Sequence, residues 1–160
     1  MNSEYISPTK GKMKLETVAR EIIDYIQTNP DDEYQLIIGT DSEGNGKVEF
    51  VTAIVIYRKG AGGRFFWKKI QKDKIQALRQ KIFEEVLISI ENAENLIPEL
   101  NKYWQKEDLK STLEIHIDAG ENGPTKELIK EVTGMVLGMG YNPKTKPEAY
   151  GASMVADRFL

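Results

Sequence analysis

The chain has 160 residues, of which 40% are apolar and 29% charged, the size and make-up of one ordinary globular domain that needs no covalent staple. It carries no cysteine and a single histidine, His116, which excludes disulfides, thiolate zinc sites, iron–sulfur clusters, cysteine nucleophiles and a metal held by paired histidines. The longest apolar run, Ala53 to Tyr57, is far below the ~20 residues of a membrane span, and without a signal-peptide pattern the protein is expected in the cytoplasm, with no membrane partner.

Residues 1–12 read as a mobile lead-in to a single domain. From Lys14 to Gln27 the apolar residues Leu15, Val18, Ala19, Ile22, Ile23 and Ile26 fall at helical spacing, and Asn29-Pro30 ends that helix. Tyr34 to Thr40 is a buried-strand pattern, Glu43 to Gly46 a turn, Lys47 to Tyr57 a second strand, and Arg64 to Ile70 a third after a glycine-rich turn. Short turns between successive strands predict an antiparallel meander. A long helix is expected from about Lys72 to Leu96, with Ile75, Leu78, Ile82, Val86, Ser89, Ala93 and Leu96 on its inner face. Thr112 to Asp118 is a fourth strand, and a helix follows from Pro124 to about Met139. A brief extended segment spans Asn142 to Lys146, and a last helix runs from about Pro147 to the end. The long crossover lets the fourth strand lie parallel to the first, so the order describes a mixed α/β sheet with an extra N-terminal helix.

Two aspartates end strands: Asp41 in IIGTDS and Asp118 in IHIDAG. On parallel neighbours both carboxylates project from the C-terminal edge of the sheet, where ligands of open α/β sheets gather. Either Asp alone is also what a turn before glycine calls for, but two abreast repel each other unless a cation intervenes. Hard oxygen donors favour Mg2+ or Mn2+. On the long helix, at about 100° per residue, Glu85 falls beside the sheet-facing stripe, whereas Glu84 and Glu91 point outward. An inward acid needs a partner or a metal. His116, two residues before Asp118, faces the same side of its strand and is either a satisfied core histidine or an auxiliary in proton transfer. The loop from Asp41 to Thr52 resembles the opening of an EF-hand, but Thr52 stands where that loop needs its bidentate Glu. Charge is unevenly spread along this chain of net charge −3: nine basic residues and one acid, Asp73, lie between Arg58 and Lys81. Lys68, Lys69 and Lys72, beside Phe65, Phe66 and Trp67, suit phosphate contacts and base stacking or a solvated hairpin with core aromatics.

The segments IIGTDSE, EEVLIS, IHIDAGENGPTKELIKEVTGMVLGMG and KPEAYGASMVADRF together resemble the YkuK-type family of ribonuclease H-like proteins, over about residues 14–160. The resemblance implies a ribonuclease H-like α/β fold with a mixed five-stranded sheet, three antiparallel strands followed by two added through helical crossovers, and helices on both faces. It also implies a carboxylate set of Asp41, Glu85, Asp118 and Asp157 holding two divalent ions, Mg2+ or Mn2+, in a nuclease acting on RNA, DNA or a hybrid. With a helix starting at Lys72, Glu85 sits well inside it, whereas the fold places this glutamate nearer the helix start. The alternative expectation is a non-catalytic nucleic-acid-binding or protein-interaction module on the same fold.

Overall fold

The computed structural model describes residues 4–104, 109–120 and 123–146. It begins with a hairpin rather than the expected lead-in: β1 (Glu4–Ser7) and β2 (Gly11–Lys14) pair antiparallel. Period-two alternation puts Tyr5 and Met13 inward, where both are buried, and the Tyr5 hydroxyl donates a hydrogen bond to Asn92. Two apolar anchors among lysines are enough to dock a segment that composition alone marks as a loose end. Helix α1 (Leu15–Thr28) follows, burying the apolar stripe read from the sequence.

The strand β3 (Tyr34–Arg58) is assigned as one element, yet it doubles back. The hydroxyl oxygens of Thr40 and Thr52 lie 3.0 Å apart, whereas twelve extended residues would separate them by about 40 Å. The fold-back is at Gly44 and Gly46, with φ of +119° and +80°. At Gly44 a Cβ would stand 2.3 Å from the Lys47 carbonyl oxygen, so this position excludes any side chain. The arms of β3 are therefore the first two expected strands. The second arm pairs antiparallel with β4 (Gly62–Ile75), from Arg58↔Gly62 to Gly46↔Ile75.

β4 extends past Ile70, and the long helix α2 (Leu78–Asn101) starts six residues later than expected. Lys72 pairs with Val48 in the sheet, and the register shifts as Lys74 adopts φ +63°. Strand pairing here overrides a polar stretch that carries neither period. The helix begins where the Gln80 side-chain oxygen accepts the N–H groups of Gln76 and Ala77. Leu78, expected on the inner face, is exposed, and Ile75 is buried on β4 instead.

After the short helix α3 (Leu109–Thr112), β5 (Leu113–Gly120) lies parallel to the first arm of β3, with register Leu36↔Leu113 to Gly39↔His116. Helix α4 (Lys126–Gly138) returns the chain to β6 (Asn142–Lys146), parallel to β5. The order across the sheet is β2-β1-β4-β3-β5-β6. With the arms of β3 counted separately, this is the expected five-stranded mixed sheet plus the N-terminal hairpin. The helix expected from about Pro147, with Asp157 on it, lies outside the described residues. One sheet face, with Leu36, Ile38, Ile54, Ile56, Leu113, Ile115 and Ile117, forms the main core together with side chains of α1, α2 and α4. The other face carries a smaller cluster of Ile37, Val51 and Ala53, against which Val55 and Trp67 pack.

Gly44→Ala is expected to lower stability by about 2–3 kcal/mol, because positive φ and a backbone clash add. Lys74→Gly, which relieves a left-handed non-glycine residue, is expected to be neutral or to stabilise by up to about 1 kcal/mol. Urea unfolding of both variants checks the pair.

Candidate carboxylate centre

Parallel register brings Asp41 and Asp118 together. Gly39 pairs with His116, and each aspartate lies two residues further along its own strand. They follow the last paired residues on neighbouring strands, and period two puts both on the sheet face opposite Ile38 and Ile117. Both are partly buried. The second arm of β3 flanks the first, so this edge lies between the fold-back at Gly44 and the start of α2.

Glu85 is supplied from above the edge. Because α2 starts at Leu78, Glu85 is its eighth residue, nearer the helix start than the sequence spacing implies and closer to where the ribonuclease H-like fold places its glutamate. Its side chain is only 9% exposed, and its Oε2 accepts a hydrogen bond from the Ser42 hydroxyl. Burial pushes its pKa up to about 8; the Ser42 hydrogen bond opposes this, the neighbouring carboxylates Asp41 and Asp118 add to it, and Lys81 opposes it. Glu84 instead bridges to Lys72 at 2.7 Å, and Glu91 is exposed, as the helical angles predict. Beneath the site a buried hydroxyl chain fixes strand to helix: Thr40 lies 3.0 Å from Thr52 and 2.8 Å from Ser89. These bonds tie α2 to both arms of β3 on the face where Ser42 meets Glu85.

A fourth charged residue at the edge escaped the sequence reading. Lys146 ends β6 opposite Gly120, and its ammonium nitrogen lies 2.9 Å from Asp118 Oδ1. The Asp118 hydrogen bond and charge hold Lys146 above the usual lysine range, with further contributions from Asp41 and Glu85, so one cation faces all three acids. Nothing in its local sequence marks it; only the β5–β6 register does.

His116 faces the same side as Asp118 but is tied down its own strand. It is buried, its Nε2 lies 3.0 Å from Glu114 Oε1, and Glu114 Oε2 accepts from Gln35 Nε2 at 2.6 Å. Only one ring nitrogen is engaged in this way: His116 Nδ1 is buried and has no hydrogen-bond partner among the described residues. The basic stretch is also largely engaged. Lys69 pairs with Glu49 at 3.3 Å and Lys72 with Glu84. Lys68 lies over the Tyr5 ring, 5.0 Å from its centroid, and burial lowers its pKa. Asp157 lies outside the described residues.

The donor set fits a hard divalent cation in its chemistry. It is all oxygen, and the buried Glu85 has two like charges near it and a neutral hydroxyl as hydrogen-bond partner, the situation a metal relieves. As the side chains stand, no three acids among the described residues enclose a metal position, and Asp118 is turned to Lys146 instead.

The ribonuclease H-like family model matches residues 17–160. The chain is 34% identical over 160 residues to the uncharacterized protein YkuK of Bacillus subtilis (strain 168), a match covering 94% of this chain and 93% of that protein. No solved structure matches significantly.

The raised pKa of Glu85 predicts a pH dependence of stability. In metal-free protein Glu85 keeps its proton to about pH 8 when folded and loses it near 4.5 when unfolded. Between those values the folded state holds the extra proton, so stability falls as pH rises, by at most about 1.4 kcal/mol per pH unit from this group. Urea unfolding in chelator from pH 5 to pH 8 is expected to show the fall, and Glu85→Gln to flatten it.

Proposed function

This chain belongs to the YkuK-type family of ribonuclease H-like proteins, and from that premise we propose that it is a divalent-metal-dependent nuclease hydrolysing phosphodiester bonds of RNA, DNA or a hybrid. The observation that supports the reading is that Asp41 and Asp118, each two residues past the Gly39–His116 pair on adjacent parallel strands, both lie near enough to Glu85 of α2 to raise its pKa. A buried glutamate with two aspartates near it is costly for stability. Such an arrangement is the kind of local conflict that functional sites retain.

In this reading Asp41, Glu85, Asp118 and Asp157 would together hold two ions of Mg2+ or Mn2+. When bound, such ions activate a water for in-line attack and neutralise charge on the leaving oxygen. The chain's own residues do the positioning. Ser42 holds Glu85 in one rotamer, and the Thr40–Thr52–Ser89 chain ties α2 to both arms of β3. Substrate binding falls to the basic side chains of β4, Lys68, Lys69 and Lys72, as sequence-neutral contacts to the backbone of a nucleic acid. Their ion pairs with Glu49 and Glu84 are partly exposed, and pairs of that kind contribute little and exchange readily for phosphate.

The second reading, a non-catalytic nucleic-acid-binding or protein-interaction module, draws on one observation: Asp118 is already neutralised by Lys146. The inward Glu85 speaks against it, since a module has no use for that acid.

With Mn2+ present the chain is expected to cleave at least one of single-stranded RNA, DNA or hybrid duplex. Asp41→Asn and Asp118→Asn should each reduce the rate by more than roughly 100-fold, beyond the 10–100-fold typical of outer-shell changes around a metal. Cleavage surviving in Asp41→Asn, or no cleavage of any substrate alongside retained nucleic-acid binding, replaces the nuclease with the module.

A further inference from the structure

We propose that Lys146 is a built-in counter-ion of the carboxylate edge, a cation that occupies the site in the metal-free protein and is displaced when divalent ions bind. The inference rests on the metal-dependent reading above and adds a residue that reading does not contain.

Three observations carry it. First, the ammonium lies 2.9 Å from Asp118 Oδ1, within the range of a charge-assisted hydrogen bond. That bond takes one of the carboxylate's lone-pair directions and sets a positive charge beside the position a cation would occupy. Second, Lys146 is fixed in place by backbone, not by chance. It ends β6 and pairs with Gly120, two residues past Asp118. Third, its side chain is 56% exposed while that of Asp118 is 21% exposed, so the ammonium reaches the site from solvent on a flexible stem and leaves it without disturbing the core.

The physical need is plain. Two neighbouring aspartates beside a buried glutamate make this edge unfavourable in the absence of a metal, and a single positive charge lowers that cost. When divalent ions arrive, the lysine opposes them twice. It holds one ligand oxygen, and its own charge repels the incoming cation at short range. Once displaced, the ammonium stays tethered at the rim of the site by its strand.

The test is Mn2+ binding by titration calorimetry to the full chain, with the Mn2+-induced rise in melting temperature as second readout. Wild type, Lys146→Met, Lys146→Arg and Asp41→Asn are compared. Lys146→Met is expected to bind Mn2+ on the order of tenfold more tightly than wild type. Lys146→Arg, which keeps the charge, should behave as wild type, and Asp41→Asn should lose binding. Binding by Lys146→Met but not by wild type also supports the counter-ion. Equal or weaker binding by Lys146→Met, with binding still dependent on Asp41, overturns the counter-ion and leaves the metal site standing. No Mn2+ binding by any of these chains overturns both.

Discussion

The register between β5 and the first arm of β3 is the constraint on which the rest of this structure depends. Four parallel pairs, Leu36↔Leu113 through Gly39↔His116, decide which residues emerge together at the sheet edge. A slip of one residue would turn Leu113, Ile115 and Ile117 off the core face, so packing of these apolar side chains holds the register firmly. The carboxylates at the strand ends inherit that precision without contributing to it. Hydrophobic burial thus performs the alignment, and the polar edge receives it.

Against this stabilising frame the edge is locally unfavourable. Glu85 is buried among like charges, and its hydrogen-bond partner is the neutral Ser42 hydroxyl. The surroundings offset part of the cost. Thr40, Thr52 and Ser89 satisfy one another beneath it, which spares the strand–helix contact any unpaired hydroxyl, and Lys146 answers the charge of Asp118 from the outermost strand. The same four charged side chains serve the metal-bound and metal-free states differently. Acids that a divalent cation would share are, without it, balanced by protonation of Glu85 and by a lysine.

The basic stretch shows how composition and structure part company. Along the chain, Arg58 to Lys81 is a run of positive charge with a single acid. In the fold, acids from elsewhere come to meet it: Asp32 and Glu33 beside Arg58 and Lys59, Glu49 beside Lys69, Glu84 beside Lys72, Glu131 beside Arg79. The antiparallel pairing of β3 with β4 brings Glu49 across from the lysines, and the late start of α2 carries Glu84 back over the strand. A linear charge count therefore overstates the field that this face presents to a polyanion.

Much of the fold was legible from the residues. Apolar periodicity located α1, both arms of β3, β5 and α4, because burial of one face imposes its period on any sequence that folds this way. The same helical angles picked Glu85 over Glu84 and Glu91, and strand ends picked Asp41 and Asp118. The misses lie where the signal is non-local. The N-terminal hairpin is held by Tyr5 and Met13 docking against distant elements, and β4 outruns Ile70 because β3 offers it partners. The helix expected near Lys72 was a set of charges compatible with either period, settled by strand pairing. By itself, then, the sequence determined the mixed α/β class, the order of the main elements and the inward turn of Glu85, since these follow from patterns within single segments. Only the tertiary structure decided that Lys146 meets Asp118 and that Gln35 meets Glu114, because both depend on register between strands far apart in the chain, which no local pattern encodes.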